Sequence, residues 1–74
     1  MNLEDIVLDL MRKVFGTNEV TTDSSQKNCE QWDSLRHLTL ASELENELEI
    51  DFEPEEIAEM TDFSKVVDMV KSKL

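Results

Sequence analysis

The chain has 74 residues, a formal net charge of −11, and only one cysteine, one glycine and one proline. So short a chain buries only about 60% of the surface its unfolded form exposes and gains about 3–5 kcal/mol of net stability from its core, which disfavours a deep catalytic cleft and favours a binding, carrier or adaptor role. A lone cysteine excludes an internal disulfide framework and a cysteine metal cluster, and no apolar run has the length or placement of a membrane span or a signal peptide.

Helical periodicity dominates from the start. Leu3, Ile6, Val7, Leu10, Met11, Val14 and Phe15 recur at the spacing of one apolar helix face. Asn2 is a plausible cap with Asp5 in the first turn, and Gly16 stops the helix. Residues 17–33 form a long loop rich in Thr, Ser, Asn and Asp, whose side chains compete with the backbone for hydrogen bonds. A loop of this length in so small a domain is often functional. Val20, Cys29 and Trp32 are its candidate anchors to the core.

A second helix is expected from 34 to about 48, with Leu35, Leu38, Ala41 or Ser42, Leu44 or Glu45, and Leu48 as its apolar stripe, widened by Leu40 and Leu44. Pro54 suits the first turn of a helix, so a short third helix is expected over about 54–60, with Glu55 and Glu56 at its positive end. Thr61 or Asp62 then caps a fourth helix, with Phe63, Val66, Val67, Val70 and Leu74 on its apolar face. The fold class is therefore all-α: a small four-helix bundle with a long loop between helices one and two and a short third helix. A single domain over 1–74, free-standing and monomeric, is expected. The lone cysteine fits a reducing compartment, so the expected location is cytoplasmic.

The charge is concentrated. Residues 30–62 hold twelve Asp or Glu and one basic residue, Arg36, a net of −11, while six acidic and six basic residues balance in the rest. Such a field repels nucleic acid and anionic membrane and steers toward basic protein surfaces. On the second helix Glu43, Glu45, Glu47 and Glu49 have no Lys or Arg partner after Arg36, and like charges at i,i+4 cost a few tenths of a kcal/mol per pair. A dedicated metal site is not expected: the segment from Asp51 to Asp62 has a proline and lacks the glycine of a calcium loop.

Ser34 stands at the start of the second helix, after Asp33 at the cap position. Unpaired backbone N–H groups and the positive end of the helix dipole favour a phosphate there. Asp-Ser is also simply a good helix start. His37, three residues on, invites comparison with a catalytic triad, but a helix surface offers no oxyanion hole and does not exclude water. A solvated histidine, or one near a phosphate, is the expectation. No catalytic residue and no enzymatic activity are expected.

The tripeptide Asp33-Ser34-Leu35, opening an acidic helix after a long loop and followed by a proline-started short helix, resembles the attachment motif of the acyl carrier protein family. The resemblance runs from Leu3 to Leu74 and is strongest over residues 32–63. It implies that Ser34 accepts 4′-phosphopantetheine from coenzyme A through a separate phosphopantetheinyl transferase. Acyl groups then ride as thioesters on the arm's thiol. Asp33 matches the family's aspartate beside the modified serine, which helps the transferase position the serine, and Leu35 matches the apolar residue packed near the arm. Glu43, Glu45, Glu47, Glu49, Asp51, Glu55, Glu56 and Glu59 are candidate contacts to basic patches on the transferase and on acyl-transfer, ligase or synthase enzymes, and Arg36 is a further candidate partner contact.

Four positions depart from the fatty-acid carriers. Arg36 stands where an acidic residue is usual, Thr39 and Ser42 replace acidic and apolar residues, and Trp32 precedes the motif as in dedicated or peptidyl-type carriers. Fatty-acid synthesis and a specialised polyketide, lipid, sugar or aminoacyl pathway both remain open. A bundle of this kind could sheath an acyl chain, with Ser42 altering the mouth of that space. The rival class is a non-carrier acidic adaptor that binds a basic partner and uses Ser34 only as part of a helix cap.

Overall fold

The computed structural model describes residues 2–74. The described residues form α1 (Leu3–Phe15), α2 (Ser34–Leu48), α3 (Pro54–Glu59) and α4 (Phe63–Lys73), with no strand beyond one isolated bridge between Ser25 and Asp62. α1 packs against both α2 and α4.

The sequence signals act where they stand. Asn2 Oδ1 accepts the Glu4 amide at 2.9 Å. Gly16 ends α1 in the left-handed region at φ 68°, and its N–H donates to the Arg12 carbonyl. A Cβ at Gly16 would meet nothing within 4 Å, so the backbone angle rather than space asks for glycine. Of the two cap candidates for α4, Asp62 serves, its Oδ1 accepting the Lys65 amide at 2.8 Å. α3 ends at Glu59, and the next residue, Met60, is fully buried beneath it.

The loop is held at both ends and in its middle. Val20 and Trp32 are buried and Cys29 is half-buried. Ser24 Oγ accepts the Thr21 amide, the Ser24 carbonyl accepts the Phe63 amide, and the Gln26 amide donates to the Thr61 carbonyl. These bonds fasten the loop to the start of α4.

The buried face of α2 differs from the expected one. His37, Leu40, Ala41 and Leu44 are buried, with Leu48 partly so, whereas Leu35 and Leu38 are 75% and 56% exposed. Ser42 is exposed too, so it lines no interior space. His37, with both ring nitrogens bonded, occupies a core position on this face. The stripe 37, 40, 41, 44, 48 follows the helical period, and Leu35 and Leu38 lie off it.

Candidate functional site

α2 begins at Ser34, with Asp33 extended at the cap. The Asp33 carboxylate is bound twice by one residue: Oδ1 accepts the Arg36 amide at 2.8 Å and Oδ2 accepts Arg36 Nη1 at 2.9 Å. Both side chains of this pair are about half exposed, at 51% and 45%, so the pair orients Asp33 more than it stabilises the fold. The His37 amide donates to the Asp33 carbonyl at 2.9 Å. Ser34 itself is exposed, as are Leu35 and Leu38 beside it. The first turn thus presents a hydroxyl, a positive helix end and two apolar side chains on one open surface.

His37 is neither solvated nor available to Ser34. Trp32 Nε1–H, a donor only, lies 2.9 Å from His37 Nδ1, which must therefore accept. The neutral ring then carries its proton on Nε2, which donates to the Ile57 carbonyl at 2.6 Å. With both nitrogens committed, His37 does not serve Ser34 as a base. Phe15 extends the row, its ring centroid 5.4 Å from that of Trp32, and the Trp32 and His37 rings are 6.1 Å apart. One chain of contacts therefore runs from the end of α1 through the loop to α2 and α3. The sequence reading identified Trp32 as an anchor but missed its partner. The signal was a tryptophan and a histidine five residues apart across a helix start, with His37 in register with Leu40, Ala41 and Leu44.

The acidic residues divide by occupation. Glu47, Glu49, Asp51, Glu55 and Glu59 are exposed. Glu43 is half-buried. Glu45, also half-buried, accepts the Phe52 amide on Oε2 at 2.8 Å, which holds the segment after α2. Glu56 Oε1 accepts the Glu53 amide at 2.7 Å and lies 2.7 Å from Lys73 Nζ. The hydrogen bond from Lys73, then that from the Glu53 backbone, hold the Glu56 carboxyl below its ordinary range. Among the described residues no group of three His, Cys, Asp or Glu side chains converges as a metal site would, and no helix is long and apolar enough to cross a membrane.

No family model matches the sequence, and no curated protein does. The fold does have a solved counterpart. The solution NMR structure of a holo acyl carrier protein from Geobacter metallireducens matches with a TM-score of 0.86 and 28% sequence identity, over 99% of this chain and 86% of that one. The match takes in all four helices and the loop that leads to Asp33-Ser34-Leu35, so the chain has the acyl carrier protein fold and is similar to that protein over nearly its whole length.

Proposed function

We propose that the protein carries acyl intermediates as thioesters on a 4′-phosphopantetheine arm attached to Ser34. The observation that supports this most directly is the exposed Ser34 at the first position of α2, in a fold shared over nearly the whole chain with a holo acyl carrier protein. The residues present fit such a group. Ser34 Oγ is accessible for a phosphodiester, the helix dipole favours an anion there, and Arg36 stands in the same turn. The arm supplies a thiol, and the chain supplies its placement.

On this reading Asp33, held by Arg36, is presented to the transferase beside the serine. Leu35 and Leu38 form the apolar part of the surface that partner enzymes meet. The exposed carboxylates Glu47, Glu49, Asp51, Glu55 and Glu59 steer basic partners, raising encounter rates without demanding tight binding. A carrier needs that combination because it must leave each enzyme it visits. Glu45 and Glu56 act chiefly within the fold, and Arg36 chiefly through Asp33. The cargo belongs to fatty-acid synthesis or to a specialised pathway, and Arg36 and Trp32 favour the latter. The test is phosphopantetheinylation of the wild type and of Ser34→Ala by a transferase of broad specificity. The carrier reading requires loading of the first and none of the second.

A second reading, an acidic adaptor that binds a basic protein, draws on the doubly bonded Asp33 cap, which forms without any modification. It predicts that Ser34→Ala retains full function.

A further inference from the structure

His37 is 7% exposed, carries both of its ring nitrogens in hydrogen bonds, and joins the end of the loop, α2 and α3. Trp32, on one side, ends the loop and stands two residues before Ser34. Ile57, on the other, lies in α3. α3 is six residues long and has no fully buried residue of its own, so the His37 bond to the Ile57 carbonyl joins the Glu56–Lys73 pair and the half-buried Ile57 side chain in holding it. The two bonds are chemically unlike. The Trp32 bond needs a lone pair on Nδ1, and the Ile57 bond needs a proton on Nε2. Protonation of Nδ1 turns the acceptor into a donor that opposes the indole N–H, and leaves the Nε2–H bond to Ile57 in place.

We infer that His37 is a positioning residue, a proton-sensitive clamp that holds the loop end leading into Ser34 against α2 and α3 when the imidazole is neutral and releases the loop side alone when it is protonated. The inference concerns the chain itself and holds whether or not Ser34 bears an arm.

Among the described residues no ion pair reaches the ring. On the loop the titratable groups next in sequence to Trp32 are Cys29 and Glu30, the first half-buried and the second exposed. On α2 Asp33 and Arg36 are paired with each other. On α3 Glu56 is tied to the Glu53 amide and to Lys73 of α4. On α1 Arg12 donates to the Val20 carbonyl. Among the described residues no carboxylate forms an ion pair with His37 that would compensate an imidazolium. The charged ring would therefore sit in the core beside a donor, and relief comes by moving Trp32 and the loop. His37 is the chain's one histidine.

The test is an NMR titration of the uniformly 15N-labelled chain from pH 8 to 5.5, following the Trp32 indole N–H and the His37 ring nitrogens. Wild type, His37→Asn, which keeps an acceptor near the Nδ1 position but does not titrate, and Trp32→Phe are compared. The clamp predicts the Nε2–H tautomer at neutral pH. On acidification the indole resonance shifts along a one-proton curve that coincides with the His37 titration. Loop amides near Trp32 then exchange about tenfold faster, the factor corresponding to one lost hydrogen bond, while α3 amides are unchanged. His37→Asn is flat over the range, and Trp32→Phe removes the link between loop exchange and His37 protonation. An Nδ1–H tautomer at neutral pH, an indole signal that stays put while His37 titrates, or loss of α3 and loop protection together would each overturn it. The wild-type titration alone decides the matter if a variant fails to fold.

Discussion

Glu56 Oε1 and Lys73 Nζ stand 2.7 Å apart, joining the first turn of α3 to the last residue of α4. The same oxygen accepts the Glu53 amide, so one carboxylate closes the start of the short helix and tethers it to the C-terminal one. The Glu56 carboxyl is held below the ordinary glutamate range, first through the Lys73 hydrogen bond and then through the Glu53 backbone. A carboxyl depressed in the fold contributes stability that is present above the unfolded value and lost as pH falls through the folded one. Wild type should therefore lose this contribution in acid below about pH 4.5, whereas Glu56→Gln should lack it at every pH. Melting temperatures measured from pH 7 to 3 for both proteins check this. Parallel curves for the two would contradict it.

Glu49 caps α2 in the left-handed region at φ 56°, the only non-glycine residue with positive φ among those described. That conformation costs an L-residue about 1–2 kcal/mol relative to a right-handed one, and glycine adopts it without that cost. Glu49→Gly should raise stability by about 0.5–1 kcal/mol in urea denaturation, and Glu49→Ala should not. Equal effects of the two would assign the gain to lost charge instead of backbone relief.

The turned face of α2 sets apart two leucines two positions apart. Leu40 is fully buried and Leu38 is 56% exposed. Leu40→Ala should cost about 2–5 kcal/mol, enough to unfold much of so small a domain. Leu38→Ala should change stability by less than about 0.5 kcal/mol while weakening turnover with partner enzymes. A large stability loss at Leu38 would restore the face first expected from the sequence.

The acidic residues should separate into two groups on charge reversal. Glu47→Lys and Glu55→Lys should slow association with a basic partner and flatten its salt dependence, with little change in melting temperature. Glu45→Ala, which frees the Phe52 amide, should lower the melting temperature, with only a small effect on association. Stopped-flow association at several ionic strengths, set beside thermal melts, distinguishes the groups.

Much of this was legible in the residues. The apolar period of α1, Gly16 at its end, Pro54 at the start of α3 and Asp62 before α4 each act locally, and each stands where its chemistry indicated. The placement of Ser34 and Asp33 followed from the same local rules. The core face of α2 did not, because it is decided by partners distant in the chain. Leucine at 35 and 38 reads as core until Trp32 and the Ile57 carbonyl are seen to give His37 the bonds that let a polar ring be buried. Likewise, charge alone could not divide Glu45 and Glu56 from their neighbours. Their bonds to Phe52 and Lys73 exist only once the segment after α2 and the end of α4 have been folded into reach.

The measurement that tests the central claim most directly is the intact mass of the protein after incubation with coenzyme A, Mg²⁺ and an active broad-specificity phosphopantetheinyl transferase, followed by tryptic mapping. The account predicts a gain of one phosphopantetheinyl group, confined to the peptide from Asn28 to Arg36 and absent from Ser34→Ala. No gain with a transferase proven on another carrier, or a gain that persists in Ser34→Ala, would contradict it.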